Sequence, residues 1–123
     1  MRRALSSPIA ALALFAAVLG GRIAAAQAPE VSENVFRNIQ VLKGIPADEF
    51  MDTIGMFASS LVYDCTGCHV QEILTDRAAF AVATPRIQRA RQMVVMVNTI
   101  NKTYFGGQPR VTCFTCHRGD GAP

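Results

Sequence analysis

Residues 112–119 read Thr-Cys-Phe-Thr-Cys-His-Arg-Gly, and the same pattern occurs earlier, at residues 64–70, as Asp-Cys-Thr-Gly-Cys-His-Val. Each copy is a Cys-x-x-Cys-His motif, in which two residues separate the cysteines and a histidine follows at once. When two motifs contain all the cysteines and all the histidines of a chain, those residues are expected to act together. The two copies use every cysteine and every histidine of the 123-residue chain: Cys65, Cys68, His69, Cys113, Cys116 and His117.

Cys-x-x-Cys-His is the attachment pattern of c-type haem. The two thiols add across the two vinyl groups of one porphyrin as thioethers, and the two-residue spacing lets one turn of chain span the vinyl positions. The adjacent histidine then lies under the ring and gives the iron an axial nitrogen. The sequence therefore predicts two covalent c-type haems, with His69 and His117 as axial iron ligands.

Three other interpretations use the same cysteines. Four cysteines in two pairs are found in structural zinc sites, and they also form redox dithiols or disulfides. None of these explains why a histidine follows both second cysteines. A zinc-stabilised interaction module also usually places its pairs closer together than Cys68 and Cys113. Haem attachment is therefore the favoured interpretation.

The N-terminus has the features of a secretory signal peptide. Residues 1–3 are Met-Arg-Arg, residues 4–20 are mainly apolar, and residues 24–26 form an Ala-Ala-Ala cleavage site. Cleavage after Ala26 predicts a signal peptide at 1–26, a mature dihaem cytochrome c domain at 27–123, and a periplasmic location. The alternative is an uncleaved N-terminal anchor, because the apolar run is nearly long enough to span a bilayer. Membrane contact is otherwise expected only through a partner.

The formal charge of +3 does not describe the predicted mature protein. Three of the twelve basic residues, Arg2, Arg3 and Arg22, lie in the signal peptide, and removing them leaves nine basic and nine acidic side chains. A neutral chain without a phosphate-binding loop gives no indication of nucleic-acid binding.

Two long amphipathic helices are predicted, and each precedes one of the motifs. The first runs from about Pro46, which suits a first helical turn, to about Leu61. The second is capped by Thr84, runs from Pro85 to about Phe105, and ends at two glycines. The sequence thus predicts a mostly α-helical fold, a small multihaem cytochrome c in which two helix-then-motif units pack around two haems.

The second helix is predicted to bury one face and to expose another. Its basic residues Arg86, Arg89 and Lys102 fall on the predicted solvated face. Helical spacing places an apolar stripe on the other side, made of Ala90, Met93, Val97, Ile100 and Tyr104.

The sixth iron ligands can be narrowed by elimination. Both histidines belong to motifs, so methionine is the usual remaining ligand, and Met1 leaves with the signal peptide. Met93 lies in the middle of its apolar stripe and is favoured for the second haem. Met51 flanks the apolar stripe of the first helix and is favoured for the first haem; that stripe is made of Phe50, Ile54, Phe57 and Leu61. Met56 and Met96 are the other candidates, and each methionine has the alternative role of core filler.

Beyond the motifs, the sequence resembles the cytochrome c subunit of photosynthetic reaction centres. The likeness covers nearly all of the predicted mature chain, and its second half is the more specific. It rests on residues 38–43 (Asn-Ile-Gln-Val-Leu-Lys), Pro46, Phe50, the first motif, 84–86 (Thr-Pro-Arg), 90–93 (Ala-Arg-Gln-Met), 100–101 (Ile-Asn) and 111–119.

The resemblance implies how haems and ligands are arranged. That family carries four haems, and this chain resembles one half of that arrangement, so two haems are expected here. The family's axial methionine comes from the helix before the motif, which implies Met93 for the second haem. At the matching position for the first haem stands Ile54, which cannot ligate iron, and Met51 lies one turn earlier as a substitute.

Two functions of different classes follow from these observations. The favoured one is a periplasmic one-electron carrier and not an enzyme, whose redox partners are, by resemblance, a photosynthetic reaction centre or a respiratory complex. The alternative is a haem enzyme or gas- or peroxide-binding protein with a five-coordinate first haem. A peroxidase is disfavoured because no histidine remains as an acid–base partner.

Overall fold

The computed structural model describes residues 28–123, and its secondary structure is mostly helical. Within that range there is no β-strand, only an isolated antiparallel bridge between Val31 and Pro46. The predicted signal peptide lies outside the described residues. In chain order the helices are α1 (Ser32–Val35), α2 (Ala47–Leu61), α3 (Cys65–Cys68), two 3₁₀ helices (Gln71–Leu74 and Arg77–Ala81), α4 (Pro85–Phe105) and α5 (Cys113–His117). The mostly α-helical fold class is thereby confirmed.

Helix α2 follows the predicted bounds, and its N-terminal end is encoded locally. Pro46 occupies the N-cap position, and Asp48 and Glu49 place negative charge at the positive end of the helix dipole. Phe50 stacks on Phe36 of the N-terminal segment, with ring centroids 5.0 Å apart. The helix ends where Val62 adopts a left-handed conformation, with φ of 54°. It therefore delivers the chain directly into the first motif.

Helix α4 also begins and ends as predicted. The hydroxyl of Thr84 accepts a hydrogen bond from the Ile87 backbone N–H at 3.1 Å, and Pro85 occupies the first turn. At the other end Gly106 takes a left-handed conformation, with φ of 60°, that a glycine adopts without steric cost. Both signals are local, which is why hydropathy and capping residues sufficed to place the helix.

The buried face of α4 differs from the predicted stripe. Val94 and Asn101 are the buried residues of this helix, whereas Tyr104 is 75% exposed. Val94 lies one residue, or about 100°, from Met93, which is partly exposed. Ala90, Val97 and Ile100 of the predicted stripe are half-buried, so the buried face is shifted from the prediction and not unrelated to it. Hydropathy did not register the burial of Asn101, which is buried for hydrogen bonding.

The side chain of Asn101 ties the end of α4 to the segment that enters the second motif. Its Nδ2 donates to the Val111 carbonyl oxygen at 2.8 Å. Its Oδ1 accepts from the backbone N–H groups of Val111 and Arg110 at 2.9 and 3.1 Å. A buried amide that satisfies three backbone groups fixes the path of the loop after the helix.

The two helix–motif units are interleaved and not separate. Helix α2 packs against α5, so the first long helix lies beside the second motif. The segment before α2, residues 28–46, joins the other elements through Asn38. Nδ2 of Asn38 donates to the Ala81 carbonyl at 2.7 Å, and the Asn38 carbonyl accepts from the Arg91 side chain at 2.7 Å. Among residues 28–123, no helix combines the length and apolar character needed to cross a bilayer.

The described chain has a very small apolar core of its own. Its buried apolar residues are Ile73, Ala79 and Val94. Thirteen large apolar side chains are exposed, among them Met51, Phe80 and Phe114. A chain of this length normally needs more buried apolar surface to be stable. Because so many of its apolar side chains are exposed, they are available to contact a large apolar group.

We expect Asn101→Leu to destabilise the protein, because it leaves three buried or half-buried backbone groups near the second motif without their partner. The free energy of unfolding, measured by denaturant titration, should fall by roughly 2–4 kcal/mol. Asn98→Leu, an exposed amide on the same helix, is the matched control and should change it by less than about 0.5 kcal/mol. Equal effects of the two substitutions would contradict the role assigned to Asn101.

Candidate haem sites

The first motif forms a single capped helical turn. Asp64 precedes it, and its Oδ1 accepts from the Gly67 backbone N–H at 2.8 Å and from the Thr66 hydroxyl at 2.7 Å. These hydrogen bonds, that of Thr66 first, lower the pKa of the Asp64 carboxyl, because they stabilise its charged form. The backbone N–H of His69 donates to the Cys65 carbonyl at 2.9 Å. Both cysteines and the histidine are therefore held on one turn of chain.

His69 has the environment of a neutral imidazole with an unused nitrogen. Its ring lies edge-on to Phe80, with ring centroids 4.8 Å apart. Burial lowers the pKa of His69, and the backbone of Phe80 offsets this only in part. Its Nδ1 is buried, and no well-formed hydrogen bond reaches it from the described residues. The neutral form is the one that ligates metals.

The second motif is a capped turn of the same kind. The Thr112 backbone N–H donates to the Thr115 hydroxyl at 3.0 Å, which closes a capping box at the start of α5. Nδ1 of His117 lies 3.0 Å from the Asp120 carbonyl oxygen. Because a carbonyl only accepts, this contact places the proton on Nδ1 and leaves the Nε2 lone pair free for iron.

Each motif offers two free thiols. In each pair one cysteine is half-buried, Cys68 or Cys113, and the other is exposed. Burial raises the pKa of both half-buried thiols. In residues 28–123 no three His, Cys, Asp or Glu side chains come together as a metal-ion site, so the four cysteines are not gathered into a zinc centre.

The four candidate methionines all lie on the surface of the chain. Met93 is 37% exposed and Met51 53% exposed, and Met56 and Met96 are exposed as well. None of them is buried within the described chain by itself. Their thioethers are accessible to a group bound against α2 or α4.

Two polar residues that support the first motif were not identified from the sequence. The Thr84 hydroxyl, besides capping α4, donates to the Cys68 carbonyl at 2.6 Å. Arg86 was assigned to the solvated face, yet its Nη1 donates to the Gly67 carbonyl. Hydropathy carries no signal for such contacts, although the Thr-Pro-Arg cluster at the start of a long helix could have drawn attention to both residues.

The residues present fit covalent haem. Each turn supplies two thiols and one imidazole nitrogen on neighbouring positions. The exposed apolar side chain of Phe80 lies against the His69 ring, and the exposed Phe114 lies within the second motif. Nδ1 of His117 is engaged by a backbone carbonyl, which is how a metal-ligating histidine is usually oriented. A mostly helical fold with two such turns defines the c-type cytochrome class.

Within that class, the chain belongs to the family described as the photosynthetic reaction centre cytochrome C subunit, whose family model matches residues 14–123. It is 31% identical over 97 residues to the photosynthetic reaction center cytochrome c subunit of Thermochromatium tepidum, which covers 77% of this chain and 23% of that protein. It is 27% identical over 101 residues to the same-named subunit of Roseobacter denitrificans (strain ATCC 33942 / OCh 114), covering 76% of this chain and 27% of that protein.

The chain spans about a quarter of the length of these two relatives. No solved structure matches it. The resemblance drawn from the sequence is confirmed at the level of the family, and covalent c-type haem is the cofactor class of that family.

We expect Met93→Ala to alter one haem only, because it removes a thioether from the helix that precedes the second motif. The near-infrared sulfur-to-iron band should weaken, and the potential of that haem should fall, because a thioether ligand raises it. Met96→Ala, on the same helix and also exposed, is the matched control and should leave the band unchanged. A band that is unchanged in Met93→Ala would rule out this ligand.

The same comparison applies to the first haem with Met51→Ala and Met56→Ala on α2. Only Met51→Ala should change the first haem's spectrum. If Met51→Ala changes nothing and the reduced wild-type protein binds carbon monoxide rapidly, the first iron has a vacant position and Met51 is not its ligand.

Proposed function

We propose that this protein is a one-electron carrier with two covalent c-type haems, one on each Cys-x-x-Cys-His turn. Residues 27–123 would form the dihaem domain, and the predicted signal peptide at 1–26 would export it to the periplasm. The observation that carries the proposal is that both turns are pre-formed. Each has a capped start, two free thiols and a histidine at its end.

Each site residue has a role in this proposal. Haem, when bound, supplies an iron that cycles between two oxidation states. Cys65 and Cys68 would attach the first haem and Cys113 and Cys116 the second, with His69 and His117 as axial ligands. Met93 and Met51 would complete the coordination of the second and the first iron.

The chain's own contribution is orientation and environment. The Asp120 carbonyl fixes the tautomer of His117 and increases the basicity of the ligating nitrogen. Phe80 packs against the ring of His69 and limits the access of water to it. The Thr84 hydroxyl anchors the backbone at Cys68, so the end of the first turn is held while the iron changes charge. Such fixed ligands favour rapid electron transfer.

An electron-transfer role is favoured over an enzymatic one. Both histidines of the chain lie in the motifs, so neither is available as an acid–base partner for peroxide chemistry. Electron transfer needs no proton donor at the iron, only fixed ligands and a suitable environment. A peroxidase is therefore disfavoured, and the carbon monoxide measurement described with Met51→Ala tests the gas-binding alternative.

The partner we propose is a membrane redox complex, specifically a photosynthetic reaction centre. The relatives are named as cytochrome c subunits of such centres, and the family model carries the same description. A respiratory complex is the competing partner.

Intact-mass measurement of the periplasmically expressed, denatured protein tests the cofactor content. We expect a mass equal to the polypeptide after cleavage at Ala26 plus two haems, because thioether bonds survive denaturation. Cys113→Ala combined with Cys116→Ala should retain one haem and is the matched control for attachment at the first motif. A mass equal to the bare polypeptide, or to polypeptide plus zinc, would refute the proposal.

Flash photolysis tests the partner. The reduced protein is mixed with membranes that contain reaction centres but lack their own cytochrome, and the decay of the photo-oxidised donor is followed. We expect the decay to accelerate in proportion to protein concentration, and the acceleration to disappear for protein expressed without haem. If the protein instead accelerates electron uptake by a respiratory oxidase, the partner is the respiratory complex and not the reaction centre.

A further inference from the structure

We propose that Tyr63 is a positioning residue for His117, the axial histidine of the second haem, although Tyr63 belongs to the segment before the first motif. This inference rests on the proposed function, since it concerns how one proposed iron ligand is held. Tyr63 would act through two residues that follow the second motif, Asp120 and Gly121.

The position of Tyr63 is set by the end of α2. Its backbone N–H donates to the Ala58 carbonyl at 3.0 Å, directly after Val62 has turned the chain into a left-handed conformation. The side chain is half-buried. The start of the tyrosine side chain is therefore fixed by a long helix and not by the short loop that follows.

The base of the tyrosine ring is held against the first motif. A Cβ added at Gly67 would lie 2.9 Å from Tyr63 Cβ and 3.1 Å from its Cγ, so the glycine backbone touches the tyrosine. On one face of the ring the Arg86 guanidinium carbon lies 4.7 Å from the ring centroid. The same arginine donates to the Gly67 carbonyl, which locks the three residues together.

The other end of the ring lies against the segment after the second motif. A Cβ added at Gly121 would overlap the Tyr63 hydroxyl oxygen and come within 2.5 Å of Cζ. No side chain fits at position 121 unless the ring or the backbone moves. Gly121 is thus a point of close approach, and the tip of Tyr63 limits where the backbone at 120–121 can lie.

That same backbone holds the axial histidine. The carbonyl of Asp120, the residue before Gly121, accepts the hydrogen bond from His117 Nδ1 at 3.0 Å. The backbone N–H of Gly119, the residue before Asp120, donates to the Ser60 carbonyl at 3.0 Å. The acceptor of the histidine proton therefore lies between two anchors, Ser60 at the end of α2 and the tip of Tyr63.

The consequence is a contact route from the first motif to the iron ligand of the second. Gly67 and Arg86 fix the ring of Tyr63, the ring fixes Gly121, and the adjacent carbonyl fixes the imidazole of His117. A displacement of 120–121 should lengthen the hydrogen bond to Nδ1 and change the orientation and basicity of the ligand.

Gly121→Ala tests the contact. The holoprotein is labelled with 15N-histidine, and its reduced, diamagnetic state is studied by NMR after intact mass has confirmed two haems. The chain has two histidines, so two ring Nδ1–H signals are expected, and that of His117 is assigned by its proximity to the backbone at 120–121. We expect Gly121→Ala to shift the His117 signal and speed its exchange with solvent, to shift the potential of the second haem, and to leave His69 unchanged.

Two control variants and one coupled variant complete the test. Gly55→Ala lies in α2 with nothing within 4 Å of the added Cβ, so it should leave both histidine signals in place. Tyr63→Leu removes the ring atoms that would collide with a methyl group added at position 121 while keeping an apolar side chain, and its control is Tyr104→Leu at the exposed tyrosine. In the Tyr63→Leu background, Gly121→Ala should cause little further shift.

The outcomes separate this inference from the proposed function. A His117 signal that is unchanged by Gly121→Ala, or shifted equally with and without Tyr63, would overturn the role of Tyr63 while two haems remain present. If Tyr63→Leu does not fold, Tyr63→Phe takes its place: it removes the hydroxyl that lies nearest to the added Cβ, and the shift caused by Gly121→Ala should then be smaller than in the wild-type background. An equal shift would overturn the role of Tyr63. If the protein carries no haem, the proposed function itself is refuted, and the intact-mass measurement shows this before the NMR experiment.

Discussion

The rest of the structure depends on the fact that the polypeptide cannot cover its own apolar side chains. Three apolar residues are buried in the described chain, while methionines and aromatic side chains remain exposed on α2, α4 and α5. Burial of apolar surface is the main favourable contribution to folding. Haems bound as proposed would provide that burial, and cofactor attachment and formation of the core would then be parts of one process, as in small metal-dependent domains.

Polar contacts within the chain hold the two motif turns in place. Asp64 and Thr112 begin the two turns, Thr84 holds the end of the first, and Asn101 holds the chain that enters the second. Because α2 also packs beside α5, each motif is supported by the helix of the other unit. The internal repeat in the sequence is therefore not a repeat of independent structures.

The helices could be predicted because their ends are local: Thr84 and Gly106 bound α4, and Pro46 precedes α2. The role of the motif residues stays a prediction that rests on the spacing that covalent haem attachment requires; the structure shows that each motif forms one short helical turn. The buried face of α4 could not be predicted, since the burial of Asn101 follows from tertiary hydrogen bonds that hydropathy does not register. The contact of Arg86 with the first motif could not be predicted either, because a charged side chain on a helix is expected to face solvent.

The Thr84 hydroxyl has one further consequence. It accepts from the Ile87 N–H and donates to the Cys68 carbonyl, so a single oxygen atom closes both the first turn of α4 and the end of the first motif. Fraying of the helix start and loosening of the motif are therefore coupled through this hydroxyl. Helix ends normally open most easily, but here that freedom is coupled to the histidine segment, so tightening of the motif on maturation would also protect the start of α4 from proteolysis.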